Sequence, residues 1–308
     1  MEYKDGYIIN PLDFRKGTIY MSPFETNDAF VNKELLYGVY NVDNNPSVVF
    51  YERFFSITES ATKALELSLK DLKLKPDDEV WIITTSGNKY ISSCVTRTIE
   101  MFCKWSRQKS EKTAAILVNH EFGFLYEDIE QLKEYELPII EDKAYSMYSF
   151  YNDDKKNFFG DYIILSMAKM FPMQSGGLLY TKKGIIYQKD LSRKAVEYFK
   201  TCFMYYNSEK DYIRSMRLYI FNYIREKMLP LKLLPRFIPK ISEVPGAFVF
   251  YANEEINIDY PKLKTYMQNN GVECSVFYGE EAFYIPCHQK MTEKHIDYIV
   301  TLIKNFLK

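Results

Sequence analysis

Histidine and cysteine are scarce in this chain of 308 residues, which has three histidines, His120, His288 and His295, and five cysteines, Cys94, Cys103, Cys202, Cys274 and Cys287. The histidines stand far apart, and no two cysteines form a C-x-x-C pair, so no metal site is expected. An odd, scattered set of thiols likewise argues against a disulfide framework. No run approaches the roughly 18 apolar residues of a membrane span. The opening MEYKDGYIINP lacks the apolar core of a secretory signal. Those two absences predict a cytoplasmic protein. Neither charge is in excess: 40 Lys+Arg stand against 41 Asp+Glu, a formal net charge of −1. No nucleic-acid partner is expected, and neither repeats nor low-complexity tracts interrupt the chain.

Aromatic residues are abundant, with 27 Tyr and 22 Phe in a chain that is 47% hydrophobic. They supply core and also flat surfaces for stacking on a ring. The near-zero net charge hides an asymmetry: residues 181–240 carry 14 Lys+Arg and 5 Asp+Glu. Within that segment, YIRSMRLYIFNYIREKMLPLKLLPRFIPK has three readings. It is a packed helix with solvated arginines, a packed helix aiming Arg214, Arg217 or Arg225 at a diphosphate, or an amphipathic helix on a membrane surface.

Periodicity organises the chain from Thr58 onward. TESATKALELSLKDLKL repeats its apolar residues at helical spacing, with Thr58 or Ser60 as cap. VWIITT (80–85), AAILVN (114–119), LPIIED (137–142), YIILS (162–166) and GGLLYTKK (176–183) read as strands. NKYISSCVTRTIEMFCKW and YEDIEQLKEY (126–135) read as helices between them. Continuous apolar strands alternating with helices predict a mostly parallel sheet covered on both faces. Ligands of such sheets bind beyond the carboxyl ends of the strands, where Thr85, Asn119, Asp142 and Ser166 fall. Long helical patterns fill about 184–229. Prolines 230, 235, 239 and 245 then mark a boundary, with a large domain over 1–240 and a small C-terminal α+β domain over 241–308. The aromatic-rich stretch 1–55 has no clear assignment.

The stretch LSMAKMFPMQSGGLLY places an amine, Lys169, just past an apolar strand and before Gly176-Gly177. Asp142 ends an earlier strand, Ser166 precedes the lysine by three positions, and Ser60-Ala61-Thr62 opens a helix. Tyr90 lies near the same rim. Pyridoxal 5′-phosphate needs all of these groups. Its aldehyde takes an amine, its ring nitrogen a carboxylate, its phosphate a helix N-terminus with hydroxyls, and its ring face an aromatic. Each group also has an ordinary reading. Ser60 is an N-cap, Asp142 caps the next segment, Ser166 bonds at a strand end, and Tyr90 packs in a core.

IIEDKAYS, FFGDYIILSMAK and SGGLLYTKK resemble the DegT/StrS-like sugar-aminotransferase family of fold-type I PLP-dependent enzymes. SITESATKALELSLKDLKLKPDDEVWIITT and FYIPCHQKMTEKHIDYIVTLI extend the resemblance over about 55–183 and 282–308. It implies a large, mostly parallel seven-stranded sheet between helices and a small C-terminal domain. It implies Lys169 as the Schiff-base lysine and Asp142 as partner of the pyridine nitrogen. Ser166, Ser60, Ala61 and Thr62 would hold the phosphate, Tyr90 would stack on the ring, and Tyr145 would lie near the ring hydroxyl. His120 and His288 would face the substrate, although a satisfied structural histidine reads equally well at 120. The implied reaction moves nitrogen from an amino acid, glutamate for preference, to a nucleotide-linked keto-sugar in surface-glycan biosynthesis, by a homodimer. The alternatives are a PLP-dependent lyase (a dehydratase or decarboxylase) and a non-catalytic relative. The lysine speaks for transamination, since sugar dehydratases of the family often lack it.

Overall fold

The computed structural model describes residues 2–4, 7–9, 18–38, 54–151, 158–182, 184 and 186–308. Much of the aromatic-rich segment 1–55, and Lys183 at the end of GGLLYTKK, lie outside these residues. Strands β1 (Glu2–Lys4) and β2 (Tyr7–Ile9) pair antiparallel, and helix α1 spans Asp28–Leu36. The large unit follows in the order β3 (Phe54–Thr58), α2 (Ala61–Leu72), β4 (Glu79–Thr84), α3 (Ser93–Glu100), β5 (Lys104–Ser106) and β6 (Thr113–Asn119). A 3-10 run over Glu127–Tyr135 leads to β7 (Ile139–Asp142), β8 (Tyr162–Ser166), the one-turn helix α4 (Met167–Met170) and β9 (Gly177–Thr181). Helices α5 (Arg193–Ser208) and α6 (Lys210–Met228) close it.

The seven strands form one sheet in the order β3-β9-β8-β7-β6-β4-β5. All run parallel except β9, which is antiparallel to both neighbours. Period-two alternation explains why the strands are apolar throughout. Ala115, Leu117, Tyr162, Ile164 and Leu179 face α2 and α3, packing on Ala64, Leu65, Leu69, Val95 and Ile99. Ile163, Leu165, Leu178 and Tyr180 face the other way, onto Phe199, Cys202, Phe203 and Tyr206 of α5. Ile116 and Val118 close the same side further along, against Ile129 and Leu132.

A second sheet, in the order β10-β11-β13-β12, is built from β10 (Leu233–Pro235), β11 (Ala247–Ala252), β12 (Ser275–Phe277) and β13 (Ala282–Pro286). Helices α7 (Tyr260–Asn269) and α8 (Glu293–Phe306) belong with it. This sheet begins at Leu233, ahead of the boundary expected at 240. Ile220, Phe221, Ile224 and Met228 at the end of α6 share its core with Phe248, Phe283, Ile296 and Ile299. The expected helix at the NKYISSC segment is shorter at its start, because Tyr90 N–H is taken by the Asn88 side chain and α3 begins only at Ser93. No described helix is long and apolar enough to cross a membrane.

Candidate active site

The parallel register brings the strand ends into one row. Thr84 pairs with Asn119, and Asn119 with Asp142, at the carboxyl edge of the sheet. A cavity of about 210 Å³ opens above this edge, roofed by the second sheet. Asp142, Tyr145, Lys169, Tyr90 and His120 all line it, with Glu121 and Tyr278.

Asp142 is buried, and its carboxylate is held at both oxygens. Asn119 Nδ2 donates to Oδ2 at 2.9 Å, and the Ala144 N–H donates to Oδ1 at 3.0 Å. Two neutral donors orient the carboxylate while leaving it room for a cationic or N–H partner. The neighbouring Lys143 takes the opposite course. It is fully buried, donates to Ser149 O at 2.9 Å and lies over the rings of Tyr151 and Phe158. Burial pulls its ammonium down to about 8.

Lys169 is half-buried. Its Nζ lies 3.9 Å from the centroid of the Tyr145 ring, and among the described residues it makes no hydrogen bond or ion pair. Tyr145 and Lys169 also border a second cavity, lined by Tyr20, Phe24, Glu25 and Glu273. The lysine thus stands between two openings, with the tyrosine ring as the partition.

The glycine pair explains how α2 meets this edge. Gly176 has φ +111°, a backbone conformation that side chains resist. Gly177 lies under the start of α2, where a Cβ would come within 2.4 Å of the Ser60 carbonyl carbon and 2.7 Å of Ala61 N. Ser166 pairs with Gly177, so its backbone is brought to the same corner as Ser60 and Ala61. Ser60 Oγ caps Lys63 N–H at 3.1 Å. That bond leaves the N–H groups of Ala61 and Thr62 without an acceptor among the described residues. Ser60, Ala61, Thr62 and Ser166 form this corner beside the cavity and are not in its wall.

Both histidines are engaged by the protein, which for His120 is the structural alternative given above. His120 is buried at the cavity wall, but both its nitrogens are engaged. Nδ1 accepts the Tyr126 N–H at 3.1 Å, so the proton sits on Nε2, 3.2 Å from Glu141 Oε2. Burial holds the imidazole below its ordinary pKa against the opposing pull of Glu141. The ring therefore has no free nitrogen for a substrate. His288 lies outside the cavity: its Nε2 is 3.0 Å from Tyr20 O, and burial lowers it to about 3. Arg217, one of the three arginines considered for a diphosphate, is fully buried in α6 and spends its donors on the protein. Arg214 lies over the Phe150 ring.

Sequence reasoning missed the roof of the cavity. Tyr278 follows β12 and puts its ring 5.3 Å from that of Tyr90, and Asn88 Nδ2 ties the loop below to Tyr278 O at 2.7 Å. Glu121, whose carboxyl is pushed up by burial, accepts the Ser86 N–H at 2.7 Å. No motif carries the contacts to Tyr278, because they join segments nearly two hundred residues apart.

One antiparallel strand in an otherwise parallel seven-stranded sheet, a lysine beyond the strand beside it, and a separate small sheet over the carboxyl edge define the fold. This is the fold of the fold-type I PLP-dependent enzymes. Within it, the chain is similar in structure to Spr1654 from Streptococcus pneumoniae, assigned as a sugar aminotransferase and solved in its PLP form. The TM-score is 0.73 at 15% identity, covering 94% of this chain and 100% of that one. A DegT DnrJ EryC1 StrS aminotransferase from Brucella abortus gives a TM-score of 0.70 at 13% identity, covering 94% of this chain and 99% of that one. GDP-4-keto-6-deoxy-D-mannose-3-dehydratase from E. coli, solved with bound hydrated PLP, gives 0.67 at 13% identity, covering 93% and 98%. No family model and no curated protein sequence matches the chain.

Proposed function

We propose that this chain is a PLP-dependent aminotransferase that moves an amino group from glutamate, or a similar amino acid, to a nucleotide-linked keto-sugar. The observation that carries the reading is the shared cavity of Lys169 and Asp142, with the lysine amine making no hydrogen bond or ion pair among the described residues and the carboxylate oriented by Asn119 and Ala144. The residues fit the cofactor. The corner where α2 starts against Gly177 offers two N–H groups, unused among the described residues, to a phosphate.

When bound, pyridoxal phosphate supplies an electron-accepting ring that draws charge from the carbon bearing the amine. The protein's part is positional and acid–base. Lys169 would hold the cofactor's aldehyde end with its amine, and the same amine would carry a proton across the cavity. Asp142 would accept a ring N–H and keep that nitrogen charged. Tyr90 would stack on the ring, Tyr145 would lie near its hydroxyl, and Ala61, Thr62 and Ser166 would hold the phosphate. Retention of Lys169 favours amine transfer over dehydration. The reading extends to a homodimer serving surface-glycan synthesis, on the strength of the resemblance.

The test is the absorption spectrum of the purified protein with PLP, before and after glutamate. A visible band, trapped by borohydride as an adduct on Lys169 and bleached by glutamate with release of 2-oxoglutarate, is expected. Lys169→Ala abolishes the band. Water loss from a keto-sugar without nitrogen transfer would select the dehydratase alternative, and no adduct at all would leave a non-catalytic relative.

A further inference from the structure

Lys169 is carried by α4, a single turn of four residues. So short a helix holds itself weakly, and its last carbonyls have no N–H partner four residues on. Side chains from distant segments meet those carbonyls instead. Ser22 Oγ donates to Ala168 O at 2.8 Å. Arg217 Nη2 donates to Lys169 O at 2.9 Å, with Met170 O at 3.4 Å. Gln289 Nε2 donates to Met170 O at 2.8 Å. Just past the turn, Asn32 Nδ2 donates to Pro172 O at 3.0 Å.

Arg217 is the hub of this set. Its Nε donates to Gln289 Oε1 at 2.9 Å and its Nη1 to Pro245 O at 3.3 Å. The side chain is fully buried and forms no salt bridge among the described residues. Burying a guanidinium without a carboxylate is costly, and here the carbonyl end of the α4 turn partly offsets that cost. Such an arrangement is more expensive than an apolar core would be, so packing alone does not account for it. It ties the lysine's backbone to α6 and to the segment after β13, rather than only to the sheet edge that bears it.

We propose that Arg217 and Gln289, with Ser22 and Asn32, are positioning residues for Lys169, fixing its turn so that the amine points into the cavity beside Asp142. The inference rests on the role of Lys169 given above. None of the four touches the reacting atoms; each acts through the backbone of the turn or of the segment just past it. Loosening the clamp frees the lysine to leave the Tyr145 face.

The experiment uses Gln289→Leu, an apolar side chain of similar volume that removes both bonds, and Arg217→Lys, which keeps a single donating nitrogen. In protein free of PLP, acetylation by acetic anhydride is followed lysine by lysine by peptide mass spectrometry, with exposed Lys294 as the internal standard. Lys169 should be acetylated several-fold faster in Gln289→Leu than in the wild type, with Arg217→Lys between them. With PLP, the yield of borohydride-trapped adduct at a given concentration should fall about ten- to a hundredfold, the scale of a small misplacement of a reacting group. The pH midpoint of the visible band should move as well. Wild-type acetylation rates in both variants, with an unchanged pH midpoint, would overturn the proposal even if thermal stability drops. If a variant fails to fold, Ser22→Ala removes a single hydroxyl and carries the same two measurements. Should the wild type itself form no adduct, the functional reading fails, and the acetylation arm still decides whether the clamp positions the amine.

Discussion

Replacing Gly177 with alanine tests the phosphate corner most directly. The added Cβ would lie 2.4 Å from the Ser60 carbonyl carbon, 2.6 Å from its oxygen and 2.7 Å from Ala61 N, where ordinary contact is 3.4–4 Å. All three neighbours are backbone, so no side-chain rotation relieves the clash. Strand β9 is hydrogen-bonded on both sides, to β3 and β8, and resists displacement. The start of α2 must therefore withdraw by roughly 1 Å. Overpacking of this kind costs about 1–3 kcal/mol of stability, and moving the two N–H donors by that distance costs up to about a hundredfold in binding. Urea unfolding of the PLP-free protein, followed by fluorescence, gives the first quantity. Absorbance titration gives the second, with PLP compared against pyridoxal, which lacks the phosphate. Gly177→Ala should weaken PLP far more than pyridoxal. Gly38→Ala, at φ +73° with nothing within 4 Å, is the control and should cost about 1 kcal/mol of stability without touching either affinity. Equal weakening of both ligands, or none, would refute the assignment of the α2 N-terminus to a phosphate.

Three further outcomes are expected. Asp142→Asn keeps the shape but loses the charge that Asn119 and Ala144 orient, so turnover of glutamate should fall about a hundredfold, and a wild-type rate would show the carboxylate to be structural. Lys143 is held down to about 8 by burial, against an ordinary 10.5. Between those values the unfolded chain binds the extra proton, so this group's contribution to stability rises with pH across that window, by at most about 1.4 kcal/mol per unit. Unfolding curves of the wild type and Lys143→Met should therefore diverge with pH between 8 and 10, and parallel curves would count against it. Cys94 is the one exposed cysteine and lines the Lys169 cavity, whereas Cys103, Cys202, Cys274 and Cys287 are buried. Iodoacetamide should modify Cys94 first, and PLP should slow that reaction; labelling unaffected by PLP would place the ligand elsewhere.

Local signals were enough to bring Lys169, Asp142 and Tyr145 to one cavity. An amine or acid just past a buried strand is placed by the strand's own register, and the alternation of strands and helices sends those ends to one edge. The same logic failed for His288. It lies one residue from Gln289, which does bond to the lysine's turn, yet the histidine faces Tyr20 instead. It failed for Arg217 as well, where a basic segment suggested a solvated or ligand-facing arginine and the side chain is buried. Periodicity says which face of a helix is apolar; it does not say which polar residue on that face is satisfied by the core.

What the amino-acid order decided by itself was local: where strands end, where α2 starts, and which chemical groups stand at those points. Its apolar runs required a sheet covered on both sides, and its Gly176-Gly177 allowed a helix start to rest on a strand. Tertiary structure alone decided what surrounds those groups. Asn88, Tyr278 and Glu121 close the cavity, and Ser22, Arg217 and Gln289 grip the lysine's turn, through hydrogen bonds between segments up to some 190 residues apart. Side-chain partners at such separation follow from how the two sheets and α6 pack, and that packing is a property of the whole folded chain and of no single stretch of it.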